Sequence, residues 1–256
     1  MATRVRLDQL ITERGLAPSR TRAQALLMAG RVRVGVGDGA RLDRKPGEQV
    51  DPTTTVLELV EAPPYVSRGG EKLAGALDAF AVDPTGRTCL DVGASTGGFT
   101  DCLLRRGATR VYALDVGRGQ LAASLRDDSR VVSMERTHAA RLDPDAEEPL
   151  TLPEPVSLTV ADVSFISLTR LLRGMATATA PGGDLLPMVK PQFELTPKDV
   201  PGGVVRDPAL RARAVERVRH HALGLGLEVL GEVEAPLAGP SGNQESFLWL
   251  RVPGAG

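Results

Sequence analysis

Cysteine, lysine and long apolar runs are all scarce in this 256-residue chain. Two cysteines, Cys89 and Cys102, cannot build a disulfide framework or a thiolate metal cluster, and they suit a reducing cytoplasm. No apolar run approaches the ~20 residues that a membrane span needs. Residues 1–8 carry Arg4 and Arg6 but no apolar core, so no secretory leader is expected. Lysine occurs only at Lys45, Lys72, Lys190 and Lys198, among 31 basic residues. No bound metal is expected, and a monomer is the expected state. With 42% hydrophobic and 25% charged residues, the composition is otherwise ordinary for a globular protein of one large domain or two small ones.

The net charge of -1 conceals an asymmetry. Residues 1–50 hold ten basic side chains against five acidic ones, so a basic segment precedes a mildly acidic body. Such a segment suggests a polyanionic partner, although a solvated basic face would read the same way. Leu7 to Arg14 has the spacing of a short amphipathic helix ended by Gly15. Ser19 then caps a second helix, Arg20 to Met28. Val32, Val34 and Val36 alternate with Arg31 and Arg33, as in a half-buried strand.

At the centre lies Cys89-Leu-Asp-Val-Gly-Ala-Ser-Thr-Gly-Gly-Phe99. It reads as a buried strand (Arg87 to Val92), a glycine-rich turn, and a helix starting near Gly98. Glycines allow close backbone approach to a ligand. The turn lacks the middle glycine of the dinucleotide fingerprint. It does match the G-x-S-x-G elbow of α/β-hydrolases, but Ser95 follows the first strand of the sheet rather than a late one, and no HGGG-type loop is present. A loop holding S-adenosylmethionine is the third reading. Strands and helices alternate from there. Strands are expected at Arg110–Leu114, Val131–Val132, Val156–Val160 and Leu185–Val189, with two closing strands at Glu228–Glu234 and Ser246–Val252. Helices are expected at Gln120–Leu125, at Leu168–Met175 (broken by Pro181-Gly-Gly183), and from Pro208 to Leu225. This alternation predicts a doubly wound α/β sheet, whose ligands lie beyond the carboxyl ends of the strands. Asp91, Asp115, Asp162 and Lys190 all fall at such ends. By itself Lys72 belongs on a solvated helix face, the usual place for a lysine.

Two resemblances sharpen the reading. Arg6-Leu-Asp8, Gly15-Leu-Ala-Pro-Ser19-Arg20, Ala23, Leu26 and Gly30-Arg-Val-Arg-Val34 resemble the alpha-L RNA-binding domain. Gly35-Val-Gly37 departs from the Asn-Gly turn that many members carry. Over nearly the whole chain, the sequence resembles the TlyA family of ribosomal RNA 2′-O-methyltransferases, once labelled hemolysins, with an FtsJ-like catalytic domain. The motifs are Tyr65-Val-Ser-Arg-Gly-Gly-Glu-Lys72-Leu73, Asp91 to Phe99, Ala113-Leu-Asp115-Val-Gly, Ala161-Asp162-Val-Ser-Phe165-Ile-Ser-Leu168, Lys190-Pro-Gln-Phe-Glu194, Gly203-Val-Val-Arg-Asp207 and Gly242-Asn-Gln-Glu245. Two stretches depart from the family: Arg136-Thr-His138-Ala-Ala140 replaces its Arg-Thr-Asn-Ala-Arg, and a lysine often found before Gly203 is missing.

The resemblance implies a Rossmann-like methyltransferase, α/β and doubly wound, with a seven-stranded mostly parallel sheet, preceded by a small α+β RNA-binding domain. The implied boundaries are residues 1–60, a linker at 61–66 and a catalytic domain at 67–256. It implies a catalytic tetrad of Lys72, Asp162, Lys190 and Glu245. S-adenosylmethionine would be held by Asp91, Gly93, Ala94, Ser95, Gly97, Gly98, Phe99 and Asp115. RNA contacts would come from Arg4, Arg6, Arg20, Arg22, Arg31, Arg33 and Arg68. The implied partner is ribosomal RNA or a ribosomal subunit, the product a 2′-O-methylated cytidine, and the compartment the cytoplasm. A small-molecule O-methyltransferase is the main alternative, and the basic N-terminal module argues against it. A membrane-lytic protein would need an exposed amphipathic or spanning segment, and none is visible.

Overall fold

The computed structural model describes residues 4–28, 30–42, 44–60, 64–239 and 241–254, apart from the side chain of Asp38. The chain divides into two compact units, residues 1–63 and 64–256. Residues 61–63 of the expected linker lie outside the described residues.

The smaller unit opens with strand β1 (Val5–Arg6), helix α1 (Leu7–Glu13) and helix α2 (Arg20–Met28). Ser19 Oγ accepts from Arg22 N at 3.2 Å, the expected cap. Strand β2 (Val32–Val34) follows, then β3 (Gln49–Val50) and β4 (Leu57–Leu59). Pairing is antiparallel, β1 with β3 and β2 with β4. The expected strand stops at Val34, because Gly35 takes a left-handed φ of 107°. Leu7, Leu10, Ile11, Ala23, Leu26, Leu27, Val32 and Val34 form one small core.

The larger unit contains helix α3 (Arg68–Phe80), strand β5 (Thr88–Val92), α4 (Gly98–Arg105), β6 (Arg110–Leu114), α5 (Ala123–Arg126) and β7 (Val131–Met134). It continues through β8 (Val156–Ala161), α6 (Leu172–Ala178), β9 (Thr179–Val189), α7 (Pro191–Glu194), α8 (Pro208–Gly224), β10 (Glu228–Glu234) and β11 (Ser246–Arg251). Its seven strands lie in the order β10-β11-β9-β8-β5-β6-β7. Only β11 runs against its neighbours, between β9 and β10. Alternation along β5 sends Cys89 to a core shared with α3 and α4, and Leu90 and Val92 to a core shared with α6 and α8. Buried on both faces, the central strands are near-continuously apolar, as parallel strands are. Among the described residues no helix is long and apolar enough to cross a membrane.

Three expectations change. The helix expected at Leu168–Met175 is a 3-10 turn at Leu168–Arg170 followed by α6 from Leu172. Only Ala123–Arg126 is helical where Gln120–Leu125 was expected. Pro181-Gly-Gly183 extends β9 rather than merely ending a helix. The register of β9 against β8 jumps there, from Val156↔Thr179 to Leu158↔Asp184, so Pro181 sits where no ladder bond needs its missing N–H.

Candidate active site

The carboxyl ends of β5, β6, β8 and β9 gather the candidate groups. Gly93 follows β5 with a φ of 86°, and a Cβ there would lie 2.6 Å from the carbonyl oxygen of Asp162. Only glycine lets the β5 and β8 ends close in this way, and Asp162 N donates to Val92 O at 3.0 Å across the join. At Gly98 a Cβ would meet Ser67 Oγ at 2.1 Å, so the starts of α3 and α4 cross without room for a side chain. The Ser-Arg-Gly-Gly and Gly-Gly-Phe motifs are therefore halves of one packing contact.

Beside this join lies an open cleft of about 1070 Å³, lined among others by Gly93, Ser95, Asp115, Gln120, His138, Asp162, Ser164 and Phe165. Ser95 adopts a left-handed φ of 48°, which directs its N–H to Asp115 Oδ2 at 2.8 Å. Asp115 Oδ1 accepts from Gly117 N at 2.6 Å, so backbone amides fix this carboxylate at the mouth of β6. Ser95 Oγ donates to Gln120 Oε1 at 3.1 Å, not to a histidine, which leaves the hydrolase elbow without a base.

Asp91 is fully buried at the end of β5. Thr100 Oγ1 donates to its Oδ2 at 2.7 Å, while its Oδ1 has no partner. Burial pushes its carboxyl up to about 7, and the charges of Asp162 and Asp115 push the same way against the Thr100 bond. A buried carboxylate oxygen without a donor marks a place where a polar ligand group fits.

The four residues of the implied tetrad form two ion pairs. Lys190 Nζ lies 2.5 Å from Asp162 Oδ1 and donates to Ser164 Oγ at 3.0 Å. The Asp162 contact is a meeting of charges, since Oδ1 receives no aligned hydrogen bond. Lys72 Nζ donates to Glu245 Oε2, and both side chains are buried, at 6% and 2% exposure. Lys72 therefore lies not on a solvated face of α3 but on its inner one. Register brings the pairs together: Ser246 faces Val189, so Glu245 and Lys190 are the next positions at one end of the β9–β11 ladder. Asp162 and Ser164, the two partners of Lys190, line the cleft; Lys190 itself does not, and Lys72 and Glu245 are buried.

Other expected residues fall elsewhere. Ala94 lines a small neighbouring cavity. Gly97 precedes α4, and Phe99 points inward from it, its ring 5.8 Å from that of Phe247 in the core. In the smaller unit Arg6 and Arg20 meet Asp8, while Arg4 and Arg22 are exposed. Arg31 donates to Val60 O at 2.8 Å, and Arg33 pairs with Glu58 at 3.0 Å. Arg68 is exposed at the start of α3.

Three contributors were not picked out in the sequence. Thr100 holds Asp91, Ser164 holds Lys190, and buried Asn243 clamps the 203–205 segment by accepting from Val205 N and donating to Gly203 O, at 2.8 and 2.9 Å. Each lies inside or beside a motif already noted, but only the partner's position gives it a task.

Residues 65–252 match the model of FtsJ-like methyltransferases, and residues 5–35 match that of the S4 domain. The chain is 50% identical, over 98% of its length and 91% of the relative's, to the 16S/23S rRNA (cytidine-2'-O)-methyltransferase TlyA of Mycobacterium tuberculosis. It is 38% identical to hemolysin A of Brachyspira hyodysenteriae, covering 94% of this chain and 97% of that one. A solved structure of a hemolysin-named protein from Streptococcus thermophilus superposes with a TM-score of 0.72 at 40% identity, covering 99% and 90% of the two chains.

Proposed function

The chain belongs to the TlyA family of FtsJ-like methyltransferases, and from that premise we propose that it methylates the 2′-oxygen of cytidine ribose in ribosomal RNA. S-adenosylmethionine, when bound, supplies a methyl group already activated by its sulfonium. The residues present fit it. Asp91 offers an unpartnered carboxylate oxygen, Gly93 and Ser95 line the cleft, and Asp115 waits at the end of β6, where related folds hold a ribose diol. Ala94, Gly97, Gly98 and Phe99 serve this site by shaping the turn.

A sugar hydroxyl is a poor nucleophile at neutral pH, so its proton must be withdrawn during attack. Lys190 is the group placed to do this. Asp162 and Ser164 occupy two directions around its Nζ and leave a third for the substrate oxygen. In its uncharged form the Lys190 amine takes the hydroxyl proton as the oxygen receives the methyl group, and Asp162 orients it and balances the ammonium that results. Lys72 and Glu245 form a buried, charge-balanced pair, and Glu245 stands next to the Ser246–Val189 rung from which Lys190 follows.

The cleft alone would also suit a small substrate; the arginines favour RNA. Among the described residues Arg68, Arg118, Arg136, Arg170 and Arg206, all beside loops at the carboxyl ends of the strands, form no ion pair. Arg87, Arg106, Arg110, Arg130 and Arg251, elsewhere on the unit, are each matched by a carboxylate, whereas Arg211 and Arg217 of α8 donate to backbone carbonyls. Unneutralised charge around the cleft suits a phosphate backbone. In this reading residues 1–60 form the RNA-gripping module, 61–66 the linker and 67–256 the catalytic domain of a cytoplasmic enzyme. The observation that carries the reading is the pairing of Lys190 with Asp162 at the cleft. The experiment is transfer of labelled methyl from S-adenosylmethionine to isolated ribosomal subunits. Wild type labels a cytidine 2′-oxygen, and Lys190→Ala abolishes labelling while cofactor binding persists. No labelling by the wild-type protein would end the proposal.

A further inference from the structure

The smaller unit contains a carboxylate in an unexpected place. Asp8 lies in the first turn of α1, its side chain fully buried in a unit otherwise rich in positive charge. Three side chains converge on it. Arg6 is bidentate, with Nε donating to Oδ1 at 3.1 Å and Nη2 to Oδ2 at 2.8 Å. Gln24 Nε2, from α2, donates to Oδ2 at 2.7 Å, and Arg20 Nη2, at the start of α2, reaches the same oxygen at 3.5 Å. These bonds to the charged form hold the carboxyl well below its usual range, with Arg6 the largest influence.

Both side chains remain partly accessible, Arg6 at 41% and Arg20 at 53%. Each has N–H groups not used by Asp8, since a guanidinium carries five donors in a fixed fork. Two flexible side chains from different elements are thereby held beside one oxygen atom. A phosphate meeting them need not bear the full entropy of ordering two long side chains.

We propose that Asp8 is a positioning residue for RNA capture: its buried carboxylate gathers Arg6 and Arg20 into a single two-pronged phosphate clamp. The proposal rests on the reading of this protein as an enzyme of ribosomal RNA. It makes a prediction of unusual sign. Asp8→Asn raises the net charge by one, so simple electrostatics predicts tighter RNA binding. Positioning predicts weaker binding.

The test is equilibrium binding of the full-length chain to protein-free ribosomal RNA across a salt titration. Wild-type protein binds with a steep salt dependence. Asp8→Asn weakens binding by about fivefold near physiological salt, the factor one phosphate contact is worth, and flattens the slope of log affinity against log salt by about 0.9. In a chain already carrying Arg6→Ala and Arg20→Ala, the same change has little further effect, because Asp8 acts through those arginines. Unchanged or tighter binding of Asp8→Asn overturns the proposal. So does an equal loss in the arginine-free background, which would mean that Asp8 merely holds the unit folded. Wild-type protein lacking any salt-sensitive binding would instead remove the RNA reading itself.

Discussion

Asp91 gives the sharpest physical test of the site. Its carboxyl stands at about 7 in the folded protein, against an ordinary 3.8. Between those values the folded state keeps a proton that the unfolded chain has released. Stability therefore falls as pH rises from about 4 to about 7, and is level above that. At 1.36 kcal/mol per pH unit, the ionised carboxylate costs the fold about 4 kcal/mol near pH 8. Asp91→Asn is neutral at every pH and can still accept from Thr100. The variant should match the wild type near pH 4 and exceed it by up to about 4 kcal/mol at pH 8. The single tryptophan, Trp249, lies in β11 of the same unit, so urea unfolding followed by its fluorescence reports on the right domain. All other titrating groups are common to both proteins, and the difference curve isolates Asp91. Two parallel stability curves would refute the burial argument. A bound ligand that donates to Oδ1 favours the carboxylate. Cofactor affinity of the wild type should accordingly climb as pH rises toward 7, and that climb should vanish in Asp91→Asn.

Other substitutions separate structure from chemistry. Lys72→Met leaves Glu245 buried without its counter-charge and should destabilise the larger unit by about 3–5 kcal/mol. Adding Glu245→Leu should recover most of that in unfolding experiments without restoring methyl transfer. Asn243→Ala frees the 203–205 segment from two hydrogen bonds; faster amide exchange at Val205, with overall unfolding little changed, is the expected readout. Asp184 is a buried carboxylate held by Arg87, Trp249 and Arg251, beside β8 residues at the opposite end from the cleft. Asp184→Asn should lower stability by about 1–3 kcal/mol and leave transfer per folded molecule intact.

Much of this molecule was legible because its signals are local. The glycine turn, the cap at Ser19 and the apolar strands each depend on a few neighbouring residues, and all took the expected form. Legibility failed where a distant partner decides. Gln120 and its neighbours have helical spacing, yet Asp115 takes the amide of Gly117 and Ser95 engages the Gln120 side chain, so the helix starts only at Ala123. Phe99 sits in a ligand-binding motif, but the turn of α4 carries its ring into the core. Above all, sequence and resemblance supplied four residues for the tetrad but not the burial of Lys72 against Glu245. Lys72 and Glu245 are 173 positions apart and meet because β11 enters the sheet antiparallel, between β9 and β10, with Glu245 at its head. Hydrophobic periodicity carries no information about such an insertion, since a strand reads the same in either direction. A lysine that composition assigns to solvent thus becomes a buried partner through topology alone. The division of the tetrad into a sealed pair and a pair that reaches the cleft through Asp162 is accordingly a property of the fold, not of any motif.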